Sequence, residues 1–471
     1  MVDADDPEQP QESQLRYGRK RQKADDDVST KPKTRRGSIK VQCTNKNALA
    51  ARHNRDRQKK YVEMIENKLQ TCETENTNFR TKVEEQSRLI EILNDQVAYL
   101  RSEVNKTRPT HRMKEINENL TRIMMRDKEL PPTYVEGFHD LQAVKSMEYR
   151  TLGKTGLMVS KLSLGGGTLG CHYAAFDEDE AIETIRKAIK KGINYIDTAY
   201  WYGQGKSELI IGKALKGIPR QAYYIGTKVG RYELDFANMF DFSMERVRQS
   251  VKQSLERLQL DYVDVIQIHD IEFAPSLDII ITQTLPELSR QVAEGRARHI
   301  GITGYPISVL KECIEKSNIN IAVVLTYARF TLIDDTLLEY IPFFKERNIG
   351  IINAAAPSMG LLTSQGPQKW HPASDDVKKV CKQAGDYCKE KDLEFTKLAV
   401  WHSFQCPDVA THLIGMQNLR ELDINMDVLH NGITEEEKEI LKDMKDKYLS
   451  KLTTKHWEGA DLEKYWKEMK R

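Results

Sequence analysis

Four residues of this chain have the types needed to move a proton onto or off a substrate oxygen. NYIDTAYWYG (194–203) holds Asp197 and Tyr202, YYIGTK (223–228) ends on Lys228, and VDVIQIH (263–269) ends on His269. A phenol has an ordinary pKa near ~10, too high for a base at neutral pH. An ammonium beside it favours the phenolate, and a carboxylate beside a buried ammonium keeps that ammonium charged. Tyr202 can then exchange a proton with an alcohol or carbonyl oxygen. His269 can donate a hydrogen bond to the same oxygen and orient the substrate. None of the four carries a hydride, so a nicotinamide cofactor must complete the chemistry.

Such residues need a scaffold that brings distant segments to one place. After residue 148, short β-branched runs alternate with amphipathic helical stretches. The strand candidates are 162–167, 195–199, 223–228, 263–269, 299–304, 321–327, 350–355 and 412–416. Helical stretches such as 179–192 and 243–259 follow them, the latter with Ser243 as its N-cap. Eight β-then-α units predict an α/β fold, a closed (β/α)8 TIM barrel. An open doubly wound sheet is the runner-up, but no GxGxxG follows the first strand candidate. On the barrel, Asp197, Lys228 and His269 fall at the ends of the second, third and fourth strands. Tyr202 falls in the loop after the second. All four then lie at the C-terminal rim, where barrel enzymes keep their sites.

The segments IDTAYWYGQGKSELIIGKAL, YIGTK and DYVDVIQIHD resemble the aldo-keto reductase family, whose Asp–Tyr–Lys–His tetrad maps onto Asp197, Tyr202, Lys228 and His269. MEYRTLGKTGLMVSKLSLGGG resembles the family's N-terminal hairpin, which plugs the barrel bottom. MGLLTSQGPQKWHPAS (359–374) resembles the L-galactose and D-arabinose dehydrogenase branch, which oxidises the anomeric carbon of aldoses to lactones. The resemblance implies cofactor contacts at Thr168, Thr303, Thr326, Ser358, Met359, Gly360, Leu361, Gly415, Gln417, Glu421 and Asn425. The chain departs from the family in places. Thr303-Gly304 stands where many members have Ser-Asn, Thr326 where Gln is common, and small residues near Ala354 where an aromatic side chain often stacks on nicotinamide. In GMQNLRELDIN (415–425), Gly415 and Glu421 occupy positions where the family usually carries cations. A 2′-phosphate requires a cation, whereas an acidic residue can accept from a ribose 2′-hydroxyl. NAD is therefore expected over NADP, unless Arg420 turns inward.

Upstream lies a second, unrelated chemistry. Asn47, Ala50, Ala51, Asn54 and Arg55 fit N-x-x-A-A-x-x-[CSN]-R and share one helix face. The two alanines allow close approach to a groove floor, Asn47 can read a base edge, and Arg55 can take guanine or phosphate. Six heptads follow, with Val62, Leu69, Asn76, Val83, Ile90 and Val97 at a, and Ile65, Cys72, Phe79, Gln86, Leu93 and Leu100 at d. β-Branched a residues favour two parallel strands, and Asn76 fixes their register. Leu69, Asn76, Val83, Ile90, Leu93, Val97 and Leu100 are the expected dimer seam. This stretch resembles a CREB/ATF-type basic-leucine-zipper of the Zhangfei branch. That implies DNA bound through 44–60 and a zipper homodimer or heterodimer through 62–104.

The expected organisation is a polar tail (1–43), a basic region and zipper (44–106), a junction (107–147) and the barrel (148–471). The junction contains Met113, Met124 and Met125. Two alternatives therefore stay open: a transcription factor whose barrel only senses cofactor, or two neighbouring reading frames joined. The net charge of +2 averages a basic segment at 16–60 with a balanced remainder. Seven scattered cysteines without CxxC spacing argue for reduced thiols and no metal. No 18-residue apolar run suggests a membrane span. Nucleus and cytoplasm are the expected compartments.

Overall fold

The computed structural model describes residues 130–470 apart from 172 and 174, with isolated helical positions at 59, 69, 70, 77, 88 and 96. The sites read at Asn47, Ala50, Ala51, Asn54, Arg55, Asn76, Val83, Ile90, Leu93, Val97 and Leu100 lie outside the described residues. Leu69 is helical and exposed in the single chain. The backbone divides at Lys114 into two units, and the fold below is that of the second.

A short helix α1 (Leu141–Ser146) leads into an antiparallel hairpin, β1 (Tyr149–Thr151) and β2 (Met158–Ser160). Eight parallel strands then close on themselves: β3 (Leu162–Gly165), β4 (Tyr195–Asp197), β5 (Tyr224–Val229), β6 (Val263–Ile268), β7 (Ala297–Thr303), β8 (Val323–Tyr327), β9 (Gly350–Ala354) and β10 (Thr411–Gly415). β10 pairs with both β9 and β3, so the sheet has no edge and the open alternative is excluded. Every strand candidate coincides with one barrel strand to within two residues. Their near-continuous apolar runs reflect burial on both faces, and β5 and β6 are buried along their full length.

The helices form the outer ring: α2 (Glu178–Lys190), α3 (Lys206–Leu215), α4 (Met244–Leu258), α5 (Leu285–Ala293), α6 (Ile307–Lys316), α7 (Leu337–Glu346), α8 (Asp375–Glu390), α9 (Phe395–Ser403), α10 (Leu419–Asn431), α11 (Glu435–Lys447) and α12 (Ala460–Met469). Local chemistry sets their ends. The Asp177 side chain caps α2, whose first turn holds Glu178, Asp179 and Glu180 and whose last turn holds Lys187 and Lys190, matching the helix dipole. Ser243 caps α4 by accepting from Arg246 N at 3.4 Å. The inward stripes of these helices pack on the barrel exterior through residues such as Ile185, Ile189, Val251 and Leu258.

The hairpin closes the barrel bottom. Leu152, Leu157 and Val159 join Tyr195, Val265, Val323 and Ile352 in one buried cluster inside the strand ring. The packing begins earlier than the sequence boundary at 148. Asn194 donates to Thr133 Oγ1 at 2.9 Å, Asp140 N donates to Lys190 O at 2.9 Å, and Val144 and Met147 are buried. Residues from about 131 thus belong to the barrel. This segment lacks the period of a helix or strand, so a reading based on period assigns it to the junction.

Replacing Leu152 with Ala removes a fully buried side chain from the plug. The expected cost is about 2–5 kcal/mol, checked by urea denaturation, and the rim chemistry at the opposite end should keep its KM values.

Candidate active site

Strand register assembles the centre. In the barrel, Asp197 pairs with Gly226 and Lys228 with Gln267, so the ends of β4, β5 and β6 lie side by side. Lys228 Nζ forms a hydrogen bond and ion pair with Asp197 Oδ1. It also donates to Thr198 O at 3.0 Å and Tyr202 Oη at 3.2 Å. An ammonium has three protons, and each here has an acceptor. The lone pairs of Tyr202 Oη receive one of them, so the phenol's own proton must point elsewhere. His269 lies edge-on to Tyr202, with ring centroids 5.7 Å apart and an 86° interplanar angle. Its Nδ1 is buried without a hydrogen-bond partner, and its Nε2 is 3.8 Å from Asp270 Oδ2. A buried ring nitrogen without a partner is a group prepared for one.

The electrostatics qualify the sequence expectation. Burial would by itself lower the Lys228 pKa, but Asp197 and Tyr202 beside it reverse this and leave it raised. Asp197 is raised by burial against the opposing pull of Lys228 and the Gln267 amide. Burial also raises Tyr202, and Lys228 offsets only part of that rise. Lys228 thus favours the phenolate as expected, but desolvation of a negative oxygen outweighs one nearby ammonium, and Tyr202 holds its proton at neutral pH. Burial lowers His269 to about 3, so the imidazole is neutral and keeps one N–H to donate.

The residues expected to hold a cofactor occupy the same rim. Thr168 follows β3, and its Oγ1 is buried without a partner. Ser358 and Met359 follow β9 with φ of 50° and 53°, Gly360 has φ 102°, and Ser358 Oγ is also buried and unpartnered. Leu361 is buried beside them. Gly415 ends β10, where a side chain would collide with Thr168. Gln417 donates to Thr168 O at 2.7 Å, and Gln417 N donates to Glu421 Oε2 at 2.7 Å. Glu421 lies in the first turn of α10, Asn425 is buried one turn on, and Arg420 is exposed. Two other hydroxyls are already engaged. Thr303 Oγ1 accepts from Asp270 N at 3.1 Å, and Thr326 Oγ1 donates to Gly304 O at 3.2 Å. Unsatisfied hydroxyls at Thr168 and Ser358, with a helix N-terminus after Gly415, fit a nucleotide cofactor.

Sequence reasoning missed the wall beyond His269. Asp270 has φ 52° and its carboxylate binds Arg231 at 2.6 Å, while Arg231 stacks on Trp201 at 4.0 Å. Glu272, half-buried with its Oε2 out of solvent near Asp270, is raised to about 8, chiefly by desolvation. The C-terminal segment also reaches this end: Trp457 stacks on Tyr305 at 4.9 Å, Glu458 binds Arg329 at 2.8 Å, and Tyr465 of α12 packs on Phe240 and Phe273. The Asp beside His269 was visible in the motif, but nothing in spacing alone links 231 to 270 or the tail to the mouth.

A closed parallel barrel with a Lys–Asp–Tyr–His cluster at its C-terminal rim defines a class of carbonyl and alcohol oxidoreductases. The model of the Aldo/keto reductase family matches residues 161–446, and the chain belongs to that family. It is 42% identical over 283 residues to L-galactose dehydrogenase of Arabidopsis thaliana, covering 59% of this chain and 87% of that protein. It is 35% identical over 289 residues to D-arabinose 1-dehydrogenase of Saccharomyces cerevisiae, covering 57% and 82%. The structure resembles aldo-keto reductase AKR11C1 from Bacillus halodurans (holo form), with a TM-score of 0.50 and 28% identity, covering 63% of this chain and 96% of that one.

The neutral imidazole makes a prediction about acid. An unfolded histidine takes up a proton as pH falls through its ordinary 6.5, while folded His269 resists until about 3. The unfolded state then binds more protons across that window, so stability falls as pH falls from 6.5 toward 3. His371 and His402, each lowered to about 4, act in the same sense, so a difference isolates His269. Between pH 7 and pH 4, His269→Gln should lose less stability than the wild type, by on the order of a few kcal/mol. Urea denaturation at the two pH values measures this.

Proposed function

We propose that the barrel is an NAD-linked aldose 1-dehydrogenase, acting on a sugar of the L-galactose or D-arabinose type and yielding its lactone. The reading is carried by the convergence of Lys228, Asp197, Tyr202 and His269 on one rim. It draws its substrate class from the names of the plant and yeast relatives. In this reading the anomeric hydroxyl sits between Tyr202 Oη and His269. The imidazole N–H fixes the oxygen, and Tyr202 receives the hydroxyl proton once its own has left. Lys228 stabilises the phenolate so formed, and Asp197 keeps Lys228 charged. Bound nicotinamide supplies the hydride acceptor; Thr168, Ser358, the backbone at 358–360 and the 415–425 turn would hold it.

The preference for NAD over NADP is supported by Glu421, whose carboxylate stands in the first turn of α10. It would repel a 2′-phosphate and could accept from a ribose hydroxyl. For the upstream segment, the proposal rests on sequence alone: a dimeric basic-leucine-zipper that binds DNA through 44–60 and takes the chain to the nucleus. Binding of residues 30–110 to defined duplexes no tighter than to random DNA at moderate salt would defeat it.

Purified protein with L-galactose or D-arabinose and NAD should give an absorbance gain at the reduced-nicotinamide band. Tyr202→Phe should lower kcat by about 10²–10⁴-fold, with thermal stability retained. No gain with any aldose refutes the substrate class. In Glu421→Arg, the KM for NADP should fall about tenfold or more, since charge-assisted phosphate contacts are the strong ones, while kcat with NAD changes little.

A further inference from the structure

Inside the barrel, beside the proton-transfer centre, a long amide side chain reaches the Asp197 carboxylate. Gln267 lies on β6 and is fully buried among strands whose inward neighbours include Val265, Leu325 and Ile352. Its Nε2 donates to Asp197 Oδ2 at 2.5 Å. A carboxylate can only accept, so the amide nitrogen and not the oxygen must face Asp197. The two oxygens of Asp197 are thus divided: Oδ1 faces Lys228 and Oδ2 faces Gln267.

The neighbouring strands are built to admit this amide. Gly226 on β5 pairs with Asp197, and a Cβ there would lie 3.1 Å from Asp197 Oδ2, 3.3 Å from Gln267 Nε2 and 2.6 Å from Tyr195 Oη. Gly301 on β7 pairs with Gln267, and a Cβ there would lie 3.0 Å from its Cγ. Glycines on both flanking strands thus leave room for one long polar side chain that reaches across under β5. A buried amide also leaves its other end exposed to cost, and Gln267 Oε1 has no partner. An apolar side chain of similar volume would avoid that cost, so packing alone does not explain the choice.

We propose that Gln267 is a positioning residue for proton transfer, holding the Asp197 carboxylate in line with Lys228 and thereby setting the field that Lys228 exerts on Tyr202. Without the amide, Asp197 loses one of its two hydrogen bonds, its ionised form is less favoured, and Lys228 is held less firmly. Burial, Asp197 and Asp270 all hold the proton on Tyr202, and the Lys228 ammonium and its hydrogen bond oppose them; a displaced Lys228 loses that hydrogen bond and its close approach, and Tyr202 gives up its proton at higher pH. This rests on the reading of Tyr202 as the proton-transferring group, so one arm of the test needs no turnover.

The first arm is the pH profile of kcat in the oxidative direction. In Gln267→Met, the limb that rises with pH should move up by about one unit, which is about tenfold in rate at a fixed pH on that limb, with KM within about twofold. In Gln267→Glu, the introduced carboxyl can donate to Asp197 only while protonated. Its rate should approach the wild type at low pH and fall away as that proton leaves. Profiles of both variants that superimpose on the wild type overturn the proposal, even if Tyr202→Phe remains inactive. The second arm is melting temperature against pH without substrate. Gln267→Glu should become less stable from pH 5 to 8, because the folded state keeps a proton that the unfolded state has released. Adding Asp197→Asn should remove most of that dependence. If it persists, the introduced carboxyl is responding to burial and not to Asp197, and the proposal fails.

Discussion

A single buried cation organises this barrel mouth. Lys228 is 1% exposed, and an ammonium removed from water is tolerated only when it is paired and fully hydrogen-bonded. Its acceptors come from two places that are distant in sequence from it: Asp197 and Thr198 at the end of β4, and Tyr202 in the loop beyond. Strand pairing between β4 and β5 fixes the first two to within the pleat of the sheet, and the Ala199–Lys206 turn delivers the third. Four backbone bonds tighten that turn: Tyr202 N to Ala199 O at 3.2 Å, Gly205 N to Tyr200 O at 2.6 Å, Lys206 N to Gly203 O at 3.1 Å and Ser207 N to Tyr202 O at 3.1 Å. Removing Asp197 would leave a charge without compensation in a dry interior, so pairing and placement are one requirement.

The cost of the site is visible in the backbone. Cys171, Gln204, Asp270, Ala328, Ala355, Ser358 and Met359 all have positive φ, and all lie in loops that follow barrel strands on the catalytic side. A non-glycine residue held there costs about 1–3 kcal/mol. Asp270 shows what is gained. Its left-handed turn lets its N–H reach Thr303 Oγ1 while its carboxylate meets Arg231. The helices and the hairpin plug supply the apolar burial that sustains this strain at the opposite end of the strands.

The barrel was legible because its signal is local. Period-two and period-3.6 patterns lie within short windows, and Asp197, Lys228 and His269 each terminate such a window. Their convergence follows from closure alone. What was not legible depends on contacts without a window. Arg231 and Asp270 are separated by a whole helix. Trp457 meets Tyr305 across nine intervening helices and strands of sequence. The 131–147 segment has no period, yet it packs through Val144 and Met147. Gln267 was inside a quoted motif, but only the register with Gly226 and Gly301 reveals its reach. For Tyr202, residue types give the sign of the Lys228 effect, whereas its balance against desolvation needs burial.

That balance determines how the centre must work. With Lys228 donating to its lone pair, Tyr202 Oη keeps its own proton for another acceptor, and the His269 ring stands edge-on to it. At neutral pH the pair therefore offers two donors, a phenol and a neutral imidazole, to an oxygen between them. In the proposed reaction run in the reductive direction, a developing alkoxide would find a proton and a hydrogen bond already placed. Oxidation of an alcohol must run the same path backward, and it starts only from the fraction of molecules in which Tyr202 has lost its proton. Every group that strengthens the positive field of Lys228 enlarges that fraction, and every increase in burial reduces it. The same desolvation that makes the Lys228–Asp197 pair obligatory thus also holds the proton on Tyr202.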